Sequence, residues 1–84
     1  NFPTVSMNRR VGSRLAVVNR NVPGMLGQIT SLLASKNANV ADLTNKSREE
    51  LAYNLIDIEQ EPDEELLFNL RSLENVMSVR VITL

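Results

Sequence analysis

Asn19-Arg20-Asn21-Val22-Pro23-Gly24-Met25-Leu26-Gly27 is the stretch where an apolar run ends, the backbone turns and a helical period begins. A proline has a fixed φ and no N–H, and it suits the first turn of a helix, where an amide hydrogen has no intrahelical partner. The stretch therefore predicts Val22 near the N-cap and Pro23 at the first helical position. The amides of Gly24, Met25 and Leu26 would then point out of the helix end, beside the positive pole of its dipole. Such an end can hold a carboxylate or a phosphate. A strand-to-helix junction also uses Asn, Pro and Gly for purely structural reasons, so the turn alone does not decide between the two.

Working outward, Leu15, Ala16, Val17 and Val18 precede the junction without a polar break, which predicts a strand over 14–20 with both faces covered or nearly so. After it, Met25, Leu26, Ile29, Leu32 and Leu33 recur at helical spacing and predict an amphipathic helix to about Lys36, with Gln28, Thr30, Ser31 and Ser35 on the wet side. Asn37-Ala38-Asn39 stops it, because Asn tolerates the left-handed conformation that ends helices. A second strand follows over 40–46, with Val40, Ala41 and Leu43 apolar. Ser47-Arg48-Glu49-Glu50 reads as a polar hairpin turn, and 51–59 as the longest strand. Pro62 ends that strand. Asp63 is a good N-cap for a second helix whose buried stripe is Leu66, Leu67, Leu70 and Leu73, with Glu64 and Glu65 at its positive end. Asn75-Val76-Met77 turns the chain into a last strand over 78–84.

The order β-α-β, β-α-β with right-handed crossovers predicts an α+β, ferredoxin-like fold: a four-stranded antiparallel sheet, strand order 4-1-3-2, with both helices on one face. The other face then keeps apolar surface, drawn from Ala16, Val18, Ala52, Ile56 and Ile58 or their alternates. Self-association through that face, or through sheet edges, is the expectation. Residues 1–13, with Pro3 and Gly12, read as an arm or linker. The absence of an initial Met fits a piece of a longer protein, with residues 14–84 as its domain.

Composition narrows the function. The chain has 84 residues, enough for one small domain with a thin core. Nine Lys and Arg against ten Asp and Glu give a net charge of −1, which offers no field for nucleic acid or an anionic membrane. Without Cys or His there is no disulfide framework, ordinary zinc site, thiolate or imidazole base, so catalysis by these residues is not expected. The acidic run Glu59, Glu61, Asp63, Glu64, Glu65 lacks the glycine of a calcium loop and is broken by Pro62, so it reads as a solvated turn and cap. No run is long enough to span a bilayer and no signal peptide is legible, which is compatible with the cytoplasm.

Asn19, Asn21 and Asn39 are the polar candidates for a binding site. An amide both donates and accepts, which suits a small zwitterion. Asx-turn and helix-stop roles account for Asn21 and Asn39 equally well. In the predicted fold Asn21 and Asn39 lie apart within one subunit and can meet only across a two-fold dimer.

The stretches 14–27, Asn37-Ala38-Asn39-Val40-Ala41-Asp42 and Ala52-Tyr53-Asn54-Leu55-Ile56-Asp57-Ile58-Glu59 together resemble the ACT domain, and within it the C-terminal regulatory domains of the D-3-phosphoglycerate dehydrogenase family. The likeness covers 14–84, and Asn1-Phe2-Pro3 resembles that family's link from the dinucleotide-binding part. The resemblance implies an allosteric, non-catalytic module of serine biosynthesis. L-serine or another small amino acid would bind between paired domains of a homodimer or tetramer, with no cofactor in this fragment and NAD in the parent enzyme's other part. Carried over, Asn21 and Asn39 match ligand-contacting asparagines from opposite subunits, and Pro23, Gly24, Met25 and Leu26 match the loop that closes on the amino acid. Val22 and Val40 flank these positions. Where some members carry a histidine two residues before the first asparagine, this chain has Asn19. A pure assembly element that binds nothing is the alternative.

Overall fold

The structure is a computed structural model, and it describes residues 12–83. The elements are β1 (Ser13–Arg20), α1 (Met25–Ser35), β2 (Val40–Arg48), β3 (Leu51–Ile58), α2 (Glu64–Ser72) and β4 (Val76–Thr83). The four strands form one sheet in the order β2-β3-β1-β4, with antiparallel pairing throughout. This is the expected βαββαβ arrangement.

Period-2 alternation in β1 sends Ser13, Leu15, Val17 and Asn19 inward and leaves Arg14, Ala16 and Val18 on the other face. The helices cover the inward face. Ile29 and Leu33 of α1 and Leu66, Leu67 and Leu70 of α2 close over Leu15, Val17, Ile56 and Ile58. Complete burial of a Leu or Ile side chain is worth about 1.5–3 kcal/mol, so this cluster carries most of the stability of a small domain.

The ends of α1 are set by two different residues. Asn37 takes φ 58°, its N–H donates to the Ala34 carbonyl at 2.9 Å, and the Ala38 N–H donates to the Leu33 carbonyl at 2.9 Å. This pair of bonds is a Schellman motif with Asn in the left-handed place, as the sequence predicts. The start differs from expectation. Gly24, not Val22, is the N-cap, with φ 86° and ψ −4°, and the helix begins at Met25. Those angles are the third position of a type II turn, which Pro-Gly favours, so turn chemistry prevails over proline's preference for the first helical position. Pro23 consequently lies in the turn before the helix.

Other boundaries shift by one or two residues. The Gly12 N–H donates to the Ile58 carbonyl at 2.8 Å and Ser13 opens β1, so the sheet begins just inside the stretch read as an arm; the rest of that stretch lies outside the described residues, as does Leu84. β2 runs on to Arg48, because polar residues are no bar to an edge strand, and the hairpin loop shortens to Glu49-Glu50. β4 starts at Val76 and carries a register shift opposite Val18 and Asn19, beside the strand-to-helix junction.

The phase of the open face is corrected in part. Ala16 and Val18 lie on it, but Ala52, Ile56 and Ile58 are buried under the helices, and Tyr53, Leu55 and Ile82 take their place. Apolar residues occupy both faces of β3, so periodicity alone could not choose between them. Leu26, expected in the core stripe of α1, is exposed.

Candidate functional site

The junction from Asn19 into α1 forms one wall of a cavity. β1 ends at Arg20, and the Asn21 N–H still reaches the Glu50 carbonyl at 2.8 Å, which ties the loop to the start of β3. The Val22 N–H turns back to the Arg20 carbonyl at 2.9 Å. Gly24 then swings the chain into α1, which starts with no side-chain cap and no acidic residue in its first turn. Its first amides therefore keep their positive end available.

Asn19, Asn21, Val22, Gly24, Met25 and Leu26 line this cavity of about 150 Å³ together with Asn45, Ser47, Ala52 and Asn54. A water takes about 30 Å³ of liquid volume, so the space suits a ligand of a few heavy atoms. No charged side chain lines it. Its polar atoms are amides, a hydroxyl and the helix end, a set that can meet both charges of a zwitterion without a net charge of its own.

Two of the amides are buried. Asn19 and Asn54 are each 2% exposed. Asn54 Nδ2 donates to Asn19 Oδ1 at 2.7 Å and to the Val17 carbonyl at 3.2 Å, and Asn19 Nδ2 donates to the Arg20 carbonyl at 2.7 Å. Asn45 Nδ2 donates to Asn54 Oδ1, which extends the network across three strands. Asn21 is held loosely by comparison: its Nδ2 reaches the Glu49 carbonyl at 3.4 Å, and its Oδ1 accepts from Ser47 Oγ at 3.5 Å.

Not every expected residue is here. Pro23 stands in the turn outside the lining. Asn39 and Val40 lie at the other end of the sheet, where Val40 pairs with Ile58, Asn39 Nδ2 donates to Glu59 Oε1 at 3.3 Å and the Asn39 N–H donates to Gln60 Oε1 at 3.3 Å. At about 3.3 Å per strand residue the length of β3 separates them from Asn21 by roughly 23 Å. The separation within one subunit is what the sequence predicts.

Sequence reasoning missed Asn45, Ser47, Ala52 and Asn54. The usable signal was Asn54, a polar residue on the same phase of β3 as Ala52, Ile56 and Ile58. Ser47 was hidden by its reading as a turn.

The groups with displaced pKa values lie elsewhere. The Asp63 carboxyl is held below the usual carboxylate range, chiefly by the Leu66 N–H donating to it at 2.8 Å. Lys36 is held protonated to higher pH, first by its bond to Glu65 at 2.9 Å. On the open face Arg14 grips Asp57 through Nε at 2.7 Å and Nη2 at 3.1 Å, which raises its pKa. Among the described residues no group of His, Cys, Asp or Glu could hold a metal ion, and no helix is long and apolar enough to cross a membrane. A larger groove of about 540 Å³ runs along α1 past Gly27, Gln28, Ser31, Leu32 and Leu73, but its lining is mostly apolar or small and has none of the buried amides.

No family model matches the chain, and no curated protein matches its sequence. Solved structures do match. The crystal structure of the ACT domain from GTP pyrophosphokinase of Chlorobium tepidum superposes with a TM-score of 0.72 at 18% identity, over 83% of this chain and 95% of that one. The solution structure of the same domain gives 0.69 at 18% identity over 83% of each chain. The solution structure of the C-terminal domain of the MgtC protein from Mycobacterium tuberculosis gives 0.66 at 11% identity, over 90% of this chain and 89% of that one. At these identities the likeness is one of fold, and the fold of this chain is that of an ACT domain.

Proposed function

We propose that this chain is a regulatory domain that binds a small amino acid, L-serine first among them, at the boundary between two copies. The observation that carries the reading is the neutral, amide-lined cavity at the uncapped start of α1. The ligand's carboxylate goes to the amides of Met25 and Leu26, which line the cavity where the helix dipole favours negative charge. Asn21 turns to the ligand, giving up two long hydrogen bonds to do so.

Asn39 comes from the partner. β2 is an edge strand, exposed along most of its length. Two copies pairing β2 to β2 across a two-fold axis would run antiparallel, with Val40 of one opposite Arg48 of the other. That register carries Asn39 of the partner subunit to the corner where Asn21 meets Ser47 and Glu49. A site completed by both subunits binds only one arrangement of the dimer well, and this differential affinity is what an allosteric signal requires. By its resemblance to the D-3-phosphoglycerate dehydrogenase family, the domain would pass that signal to an NAD-dependent dehydrogenase of serine biosynthesis. The coupling would be worth about 1–3 kcal/mol, the usual range for allosteric effectors.

Calorimetric titration with L-serine, beside glycine and L-alanine, tests the reading. Heat and a thermal upshift at millimolar L-serine are expected, and Asn21→Ala should weaken binding by about 1–3 kcal/mol, the cost of unpairing a polar group. No heat and no shift with any of the three would remove the ligand and leave an assembly element.

A further inference from the structure

The amides of the cavity form one chain of hydrogen bonds whose direction is set by a backbone carbonyl. Asn54 Nδ2 donates to the Val17 carbonyl at 3.2 Å. A carbonyl can only accept, so the Asn54 amide has a single orientation, because reversing it would place two acceptors face to face. Its other hydrogen goes to Asn19 Oδ1 at 2.7 Å, which in turn fixes Asn19 with Nδ2 toward the Arg20 carbonyl at 2.7 Å. One Asn19 Nδ2 hydrogen is left over. On the far side, Asn45 spends a hydrogen on Asn54 Oδ1 and keeps its own Oδ1 as an acceptor. Both Asn19 and Asn45 line the cavity.

We propose that Asn54 is a positioning residue that gives the cavity a donor wall, at Asn19 and the start of α1, and an acceptor wall, at Asn45 on β2. The cavity is thereby polarised for a small α-amino acid, with its carboxylate toward α1 and its ammonium on Asn45 Oδ1. This inference rests on the reading of the cavity as a ligand site and adds the device that orients the ligand. Asn45, on an exposed edge strand, becomes a direct ammonium contact. Asn54, 2% exposed in the cavity wall with its amide spent on Val17, Asn19 and Asn45, acts through these neighbours.

The test compares L-serine with 3-hydroxypropanoate, which lacks the ammonium, and glycine with acetate, by titration of the whole chain and of Asn45→Ala and Asn54→Leu. The unmodified chain should prefer the amino acid in each pair by roughly tenfold or more, as loss of a charge-assisted hydrogen bond implies. In Asn45→Ala the preference should collapse toward equality, with binding of 3-hydroxypropanoate unchanged. A merely structural role for Asn45 would weaken both ligands alike. Asn54→Leu should also lose the preference, because Asn45 is then free to turn while Asn19 stays held by the Arg20 carbonyl; if that variant does not fold, Asn45→Ala decides alone. Binding of L-serine with the full preference kept in Asn45→Ala overturns this inference and spares the ligand site. An unmodified chain that binds none of the four overturns both.

Discussion

Gly24 shows how one residue positions the site. At φ 86° it sits where an L side chain is strained, and the direction of α1 depends on it. Gly24→Ala meets no steric neighbour, so its cost is conformational, about 1–2 kcal/mol. A urea titration should show a lower midpoint at unchanged slope. The sequence located this turn but misassigned it, because Pro-Gly serves both as a helix start and as a type II turn, and only the backbone angles separate the two. Asn54 was overlooked for a related reason. An asparagine within a strand reads as neutral until the strand's inward phase is known, and then it is a buried amide that must be satisfied. Since the side chains lining the cavity carry no titratable group, ligand affinity should stay flat between about pH 5 and pH 8, where a free amino acid's own charges are constant. A slope in that interval, followed by calorimetry at several pH values, would place a titrating group in the site.

At the scale of elements, ends were more legible than faces. Asn37 and Asp63 end α1 and open α2 as their chemistry dictates. Asp63 also makes a pH prediction with a definite sign. Its folded carboxyl is the stronger acid, so its contribution is present above the ordinary carboxylate range and lost as pH falls through and below it. Asp63→Asn keeps an N-cap acceptor and should flatten the acid side of a stability–pH curve measured by thermal melting. The β2–β3 hairpin carries a defect that can be relieved. Glu49 holds φ 57° in a two-residue loop, a place that glycine or asparagine fills without strain. Glu49→Gly should raise stability in denaturant titrations by roughly 0.5–1 kcal/mol, the left-handed strain of about 1–2 kcal/mol less the unfolded-state entropy that glycine adds, with the Glu49 carbonyl still available to Asn21.

At the scale of the whole molecule, the order of strands was readable because right-handed crossovers leave few alternatives, whereas the phase of β3 was not. Ala52, Ile56 and Ile58 face inward while Tyr53 and Leu55 face out, and apolar residues on both faces erase the alternation that would have told them apart. What remains outside is a sheet face bearing Ala16, Val18, Tyr53 and Leu55 and an exposed edge at β2. If the β2 edge pairs the subunits, sedimentation should find a dimer at tens of micromolar chain, drawn further toward the dimer by L-serine; a monomer indifferent to it would count against the pairing.

Asn21 of one subunit and Asn39 of the other are proposed to serve one ligand, and mixing chains tests this most directly. Asn21→Ala and Asn39→Ala homodimers should each bind L-serine weakly. After unfolding and refolding together in equal amounts, half the dimers are mixed and each regains one intact site, so about a quarter of the sites should recover full affinity. Recovery to that extent is the predicted result, and a mixture that binds no better than its parents would contradict a shared site.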